Sequence, residues 1–201
     1  MNARHDTIDV SGLPSYAFSY RSPMWWGLLG MMAIEGTVFA LAIASYFYLR
    51  SHSDTWPLSS LPPDLTWGTL NTVIMVASVV PNILAKRAAE AHDVQGVRLW
   101  LGLGLVFGVA FIAVRVMEFA ALNVRWDSSA YGSVVWTLMG LHTAHLVTDV
   151  LDSIVLEVLF FTGPLDGKRF GDISENSDYW YFVVASWLPI YFVIYWGARA
   201  L

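Results

Sequence analysis

The sequence predicts an all-α integral membrane bundle of five transmembrane helices. Three observations predict it. Of 201 residues, 56% are apolar and only 13% charged, about half the charged fraction of a soluble domain, and the mean hydropathy is +0.53. Five apolar runs reach or approach the length of about 20 residues that a helix needs to cross a bilayer. The chain between them is short and polar, so a single transmembrane domain over residues 1–201 is expected, with no soluble appendage.

The first span is placed at 24–49, between Pro23 and Arg50. It is too long for a signal-peptide core and no small-residue cleavage site follows it, so it stays in the mature protein. The second, 67–85, runs from the Pro62-Pro63 loop to Lys86-Arg87. The third is 97–122, the fourth 131–162 and the fifth 179–198. Pro81 and Pro189 each remove a backbone donor and are expected to kink their helices. The fourth run extends for about 48 Å at 1.5 Å per residue, so it tilts or projects beyond the hydrocarbon.

Basic residues set the orientation. Arg4, Arg21, Lys86, Arg87, Arg98, Lys168 and Arg169 share one side, against Arg50, Arg125 and Arg199 on the other. The richer side is cytoplasmic, which puts the N-terminus inside and the C-terminus in the periplasm. Trp25, Trp26, Trp67, Trp126, Trp180 and Trp196 fall near span ends, as an interfacial belt would.

Some chemistries are excluded. The chain has no Cys, hence no disulfide or thiolate metal site. Its net charge of −5 without a basic run argues against nucleic acid. No phosphate-binding Gly loop, nucleophile elbow or protease-type zinc helix occurs.

Ionisable residues inside spans mark function or helix pairing. Glu35 lies about 16 Å into the first span. It is expected to be mostly protonated, serving either interhelix hydrogen bonding or a proton or lipid role. Arg115 and Glu118, three residues apart in the third span, share a face and read as a structural ion pair. In the fourth span His142, His145, Asp149 and Asp152 form one stripe of a helix. The stripe faces protein or a polar cavity. A transition metal would need ligands from other helices, so hydrogen bonding between helices is the expected use. A Glu35–His142 contact is geometrically reasonable. Asp149 and Asp152 are expected nearer the cytoplasm, ionised and wetter. Phospholipid headgroups are expected at Arg50 or at Lys86 and Arg87, beside the first two spans.

Several segments resemble one family. Tyr131-Gly132-Ser133 followed by Gly140-Leu141-His142-Thr143-Ala144-His145-Leu146 resembles the YGS…GxHxxHV signature of subunit III of haem–copper oxidases. Ile34-Glu35-Gly36-Thr37-Val38-Phe39 is similar to its SEVxFF segment, Leu70-Asn71-Thr72 to its LNT, Arg115-Val116-Met117-Glu118-Phe119 to QxxEY, and Trp180-Tyr181-Phe182-Val183 with Trp187 to WHFVDVVW. The segments fall in family order, one per span. The resemblance implies a short, five-helix bacterial form without the first two of the family's seven spans.

It further implies a non-catalytic subunit in the bacterial cytoplasmic membrane, packed on subunit I in a complex that also holds subunit II. Such a chain binds no haem or copper itself, those being in the partner subunits. It holds phospholipid and supports proton uptake and the stability of the catalytic subunit. The isolated chain is expected to have no activity. Glu35, His142, His145 and Glu118 carry over directly. Arg115 stands where the family has Gln, Tyr181 where it has His, Val184 where it has Asp, and Asp149 where it has a small residue, so the polar network is expected to be rewired. An accessory subunit of a quinol oxidase or nitric oxide reductase is the alternative. A small transporter or proton or metal channel is a further one, against which stands the lack of an internal repeat.

Overall fold

The computed structural model describes residues 17–58 and 61–200. It is all-helical. After a short 3₁₀ turn at Ser19–Arg21 come α1 (Pro23–Ser51), α2 (Leu65–Glu90), α3 (Val94–Ala120), α4 (Ala130–Thr162) and α5 (Gly167–Tyr191). A wide π-type turn, Phe192–Trp196, and Gly197–Ala200 continue α5 to the end of the described chain. The expected Arg4 at the cytoplasmic side lies outside the described residues.

Each helix starts on a residue that can cap it. The Ser22 hydroxyl accepts from the Met24 N–H at 3.2 Å, with Pro23 at the first helical position. Asp64, Asp93, Ser129 and Asp166 cap α2 to α5 in the same way. These side chains take up N–H groups that the helix cannot pair itself. Asp64 lies outside the spans, and the Thr66 backbone N–H, with the Thr66 hydroxyl, holds its carboxyl below the usual range. This cap is present above the ordinary carboxylate range and is lost as pH falls through the lowered folded value.

Among the described residues, four helical stretches are long and apolar enough to cross a membrane: α1, α2, α3 and the continuous helix Gly167–Arg199. α4 has the length, at 33 residues, but carries the His–Asp stripe along it. The last helix departs most from the sequence reading. It begins at Gly167, not near residue 179. Its polar first turns are covered by neighbours: Phe170, Ile173, Ser174, Asn176 and Ser177 are all buried. The end of α4 lies against them, with Phe160 and Phe170 packed edge to face at 5.4 Å. The extra length of α4 is thus matched by the early start of α5. Helix α2 runs through Pro81 to Glu90 without interruption, while Pro189 precedes the π-type turn. A proline removes one ladder bond, and such turns take up the mismatch.

α2 packs against α3 and α5, α3 against α4, and α4 against α5, while α1 lies across α4 and α5. α4 and α5 thus each touch three other helices. The main core gathers Phe39, Tyr46, Phe111, Leu138, Leu146 and Trp187. α1 is almost wholly exposed on its outer side, with Met24, Trp26, Ile34, Leu41 and Tyr48 uncovered. One aromatic of the expected interfacial belt is elsewhere: Trp180 is buried and donates to the Ser78 hydroxyl at 2.9 Å.

Candidate functional site

Polar side chains collect in two places inside the bundle. The first is a closed hub around Glu118, which is fully buried with Arg115. The two form an ion pair at 2.9 Å. Glu118 also accepts from Asn71 Nδ2 on α2 at 2.7 Å and from the Tyr195 hydroxyl at 2.6 Å. Gly68 leaves room for that tyrosine, since a Cβ there would stand 2.3 Å from the ring. Arg115 lies over the Trp187 ring at 4.0 Å and the Phe111 ring at 4.6 Å.

Arg115 also reaches His142 Nδ1 at 3.2 Å. A guanidinium only donates, so Nδ1 is the acceptor. His142 Nε2 then carries the hydrogen and donates to the Val183 carbonyl at 3.0 Å. The hub thus ties α2, α3, α4 and α5 together through charge-assisted bonds. Asn71, Arg115, Glu118, His142 and Tyr195 are all buried, so the hub is closed off from the surface.

The second place is a cleft of about 680 Å³ between α1, α4 and α5. Five carboxylates line it, Glu35, Asp149, Asp152, Asp172 and Glu175, with Arg169 as the cation among its lining residues. Glu35 accepts from the Tyr179 hydroxyl at 2.9 Å, and His145 Nε2 stands 3.5 Å away. Asn176 Nδ2 donates to Asp149 Oδ1 at 3.1 Å and to Asp152 Oδ2 at 3.2 Å. Asp149 Oδ2 is buried with no hydrogen-bond partner among the described residues. At the mouth, Arg169 is 3.7 Å from Asp172, and the Ser22 hydroxyl donates to Glu175 at 2.8 Å.

Several expectations change. Glu35 meets Tyr179 and His145 rather than His142, because Phe39 from α1 packs at a tilt against both imidazoles and His142 turns inward. The stripe on α4 divides: His142 and Asp149 are buried, while His145 is half-buried and Asp152 is exposed to the cleft. Asp149, expected in a wet setting, is 3% exposed. The cleft is beside α1, α4 and α5, whereas the lipid groove is expected beside α1 and α2. Arg50 donates to the Gly197 carbonyl at 3.1 Å and Lys86 pairs with Asp178, so neither is on this cleft; Arg87 is exposed near the end of α2. Among the described residues, no three His, Asp or Glu side chains come together as a metal site.

Tyr179, Asn176 and Tyr195 were not singled out in the sequence. Asn176 and Tyr179 lie on α5 and Tyr195 on the turn that continues it, the last helix, where the family pattern carries a polar pair that Tyr181 and Val184 replace here. That substitution was the available signal that polar partners had moved along the helix.

A family model described as cytochrome c oxidase subunit III matches residues 21–199. The chain belongs to this family. The match covers all five helices and both polar clusters. Curated relatives agree. The chain is 24% identical over 172 residues to a cytochrome c oxidase subunit 3 from Thermostichus vulcanus, covering 84% of this chain and 85% of that one. It is 25% identical to one from Alkalihalophilus pseudofirmus, covering 94% and 95%. It is 28% identical to a probable cytochrome c oxidase subunit 3 from Nocardia farcinica, covering 84% and 85%. Family membership and the apolar helices together make this a multi-pass membrane protein.

Proposed function

We propose that the chain is the non-catalytic subunit III of a proton-pumping terminal oxidase of a bacterial cytoplasmic membrane. It forms one five-span domain, N-terminus inside and C-terminus outside, packs on subunit I in a complex with subunit II, and leaves haem and copper chemistry to those partners. The observation that carries this reading is the family match over residues 21–199. The excess of Lys and Arg on one side supports the orientation. Purifying the tagged chain from its native membrane is expected to bring down a partner with haem absorption. Recovery as a haem-free homo-oligomer would sink the proposal.

The cleft carries the functional part. Its carboxylates can exchange protons with water entering from the cytoplasmic side, and its apolar walls, Met24, Leu28, Met31, Val155 and Leu159, can hold a lipid chain. Phospholipid is proposed there, its phosphate toward Arg169, since a guanidinium pairs phosphate by two parallel bonds. A well-resolved structure of the complex with no lipid density along α1 and α4 would exclude it. The carboxylates are proposed to gather protons for the neighbouring subunit. Asp149→Asn with Asp152→Asn is then expected to leave assembly intact and slow turnover several-fold at alkaline pH, where free protons are scarce. The remaining acids, Glu35, Asp172 and Glu175, still line the cleft, so activity near neutrality is expected to persist. An unchanged profile of turnover against pH would leave Asp149 and Asp152 with helix packing alone.

A further inference from the structure

Behind Asn176, on the side away from the cleft, lies a small chamber bounded by α2, α3, α4 and α5. Its volume is about 20 Å³, and its lining includes Ser78, Asn82, Trp100, Ser153, Asn176 and Trp180. One water needs roughly 10–15 Å³ and two to four polar partners. The chamber meets the first condition with little to spare, so it has room for one water and not for a chain of them.

Its polar atoms meet the second condition. Ser153 Oγ donates its only hydrogen to Asn176 Oδ1 at 3.1 Å, which leaves its lone pairs as acceptors. Asn82 Nδ2 donates to the Ser177 carbonyl at 3.0 Å, which leaves its Oδ1 and one N–H. Ser78 Oγ gives its hydrogen to the Met75 carbonyl at 2.6 Å and accepts from Trp180 Nε1 at 2.9 Å, which leaves one lone pair. Acceptors therefore outnumber donors in the chamber. A water, with two hydrogens to give, corrects that imbalance, whereas an apolar occupant or a cation without hydrogens to donate would not match both the size and the pairing.

We propose that this chamber is a binding site for a single water, and that the water, Ser153 and Asn176 form one hydrogen-bonded unit that positions the Asp149–Asp152 pair. The water donates to Ser153 Oγ and Asn82 Oδ1. Ser153 is thereby kept as a donor toward Asn176 Oδ1. The Asn176 amide then has one orientation, with both N–H groups on the carboxylates. Turning the amide over would set its oxygen against two carboxylates and its NH₂ against a hydroxyl hydrogen. Asn176 is in this sense a positioning residue, reached from α2 through water and from α4 through Ser153. The unit does not itself conduct protons, because an amide has no readily exchanged proton path.

The proposal holds whether or not the carboxylates gather protons, since neither of its readouts is turnover. The first is a structure of the assembled wild-type complex at a resolution that shows enclosed waters. One peak is expected within about 2.6–3.2 Å of both Ser153 Oγ and Asn82 Oδ1. An empty or collapsed chamber, with other enclosed waters visible nearby, would overturn the proposal. The second is Ser153→Val, which removes the hydroxyl and fills the space. Loss of the peak is expected, together with a shift of the infrared carboxyl bands that Asp149→Asn and Asp152→Asn identify. Bands identical to wild type after loss of the water would overturn the positioning role. If Ser153→Val does not assemble, Asn82→Leu removes the other acceptor, and the same two outcomes apply.

Discussion

Replacing Arg115 by Leu is expected to destabilise the chain by about 3–5 kcal/mol, the cost of breaking a buried ion pair by removing one partner. The ground for so large a value is the surroundings of Glu118. It is 0% exposed, and without Arg115 it would keep only the Asn71 and Tyr195 donors. Two neutral donors do not balance a full charge away from water. His142 would lose its Arg115 bond as well. The measurement is retention of the chain in detergent-solubilised complex against temperature, where the variant is expected to dissociate far earlier than wild type. The companion variant decides the cause. Arg115→Leu with Glu118→Leu removes both charges and is expected to cost much less than the two single changes added together. If the double variant costs as much as the sum, the pair contributes little and simple packing accounts for the loss.

The same residues show what sequence alone can and cannot place. The Arg115–Glu118 contact was legible because three residues on a helix fix both side chains on one face, whatever surrounds them. Helix α1 was legible because apolar length and a start after Pro23 need no tertiary information. Partners across helices were not. His142 and His145 share a stripe, yet a turn of about 60° between positions three apart is enough to point one at Arg115 and the other at Glu35. Periodicity gives the stripe and not its rotation against neighbouring helices, so the Glu35–His142 contact was a reasonable inference that packing overrules through Phe39.

The early start of α5 was hidden for a related reason. Hydropathy measures fitness for lipid. Residues 167–178 meet protein instead, and Ser174, Asn176 and Ser177 are polar because they are covered by α2 and α4. A segment that reads as a polar loop is thus a helix inside the bundle. Asn176 and Tyr179, which organise the cleft, lie in or next to that segment. The cleft could be assembled only once its third wall was known. Family order along the chain, by contrast, was fully readable, because motifs such as Leu70-Asn71-Thr72 are local in sequence even when their partners are distant.

Trp187→Ala is expected to cost about 3–5 kcal/mol, the range for deleting a large buried aromatic. In a membrane, lipid is as apolar as the core, so transfer out of water contributes little between helices. Two terms remain. The first is the void. Trp187 is 0% exposed at the meeting of α2, α3, α4 and α5, and a cavity of roughly 100 Å³ left unrelaxed corresponds to about 2.4 kcal/mol. The second is the cation beneath it. Arg115 sits 4.0 Å from the ring centroid, and a desolvated cation–π contact is worth about 2 kcal/mol. Trp187→Phe separates the terms, since it keeps an aromatic face over Arg115 and loses the indole donor to Thr72, bonded at 2.8 Å. That variant is expected to lose about 1–2 kcal/mol, close to one buried hydrogen bond. Trp187→Leu fills most of the space without a π face. If Leu restores the dissociation temperature of the complex as well as Phe does, the ring acts by volume alone and Arg115 is held by Glu118 and His142 without it.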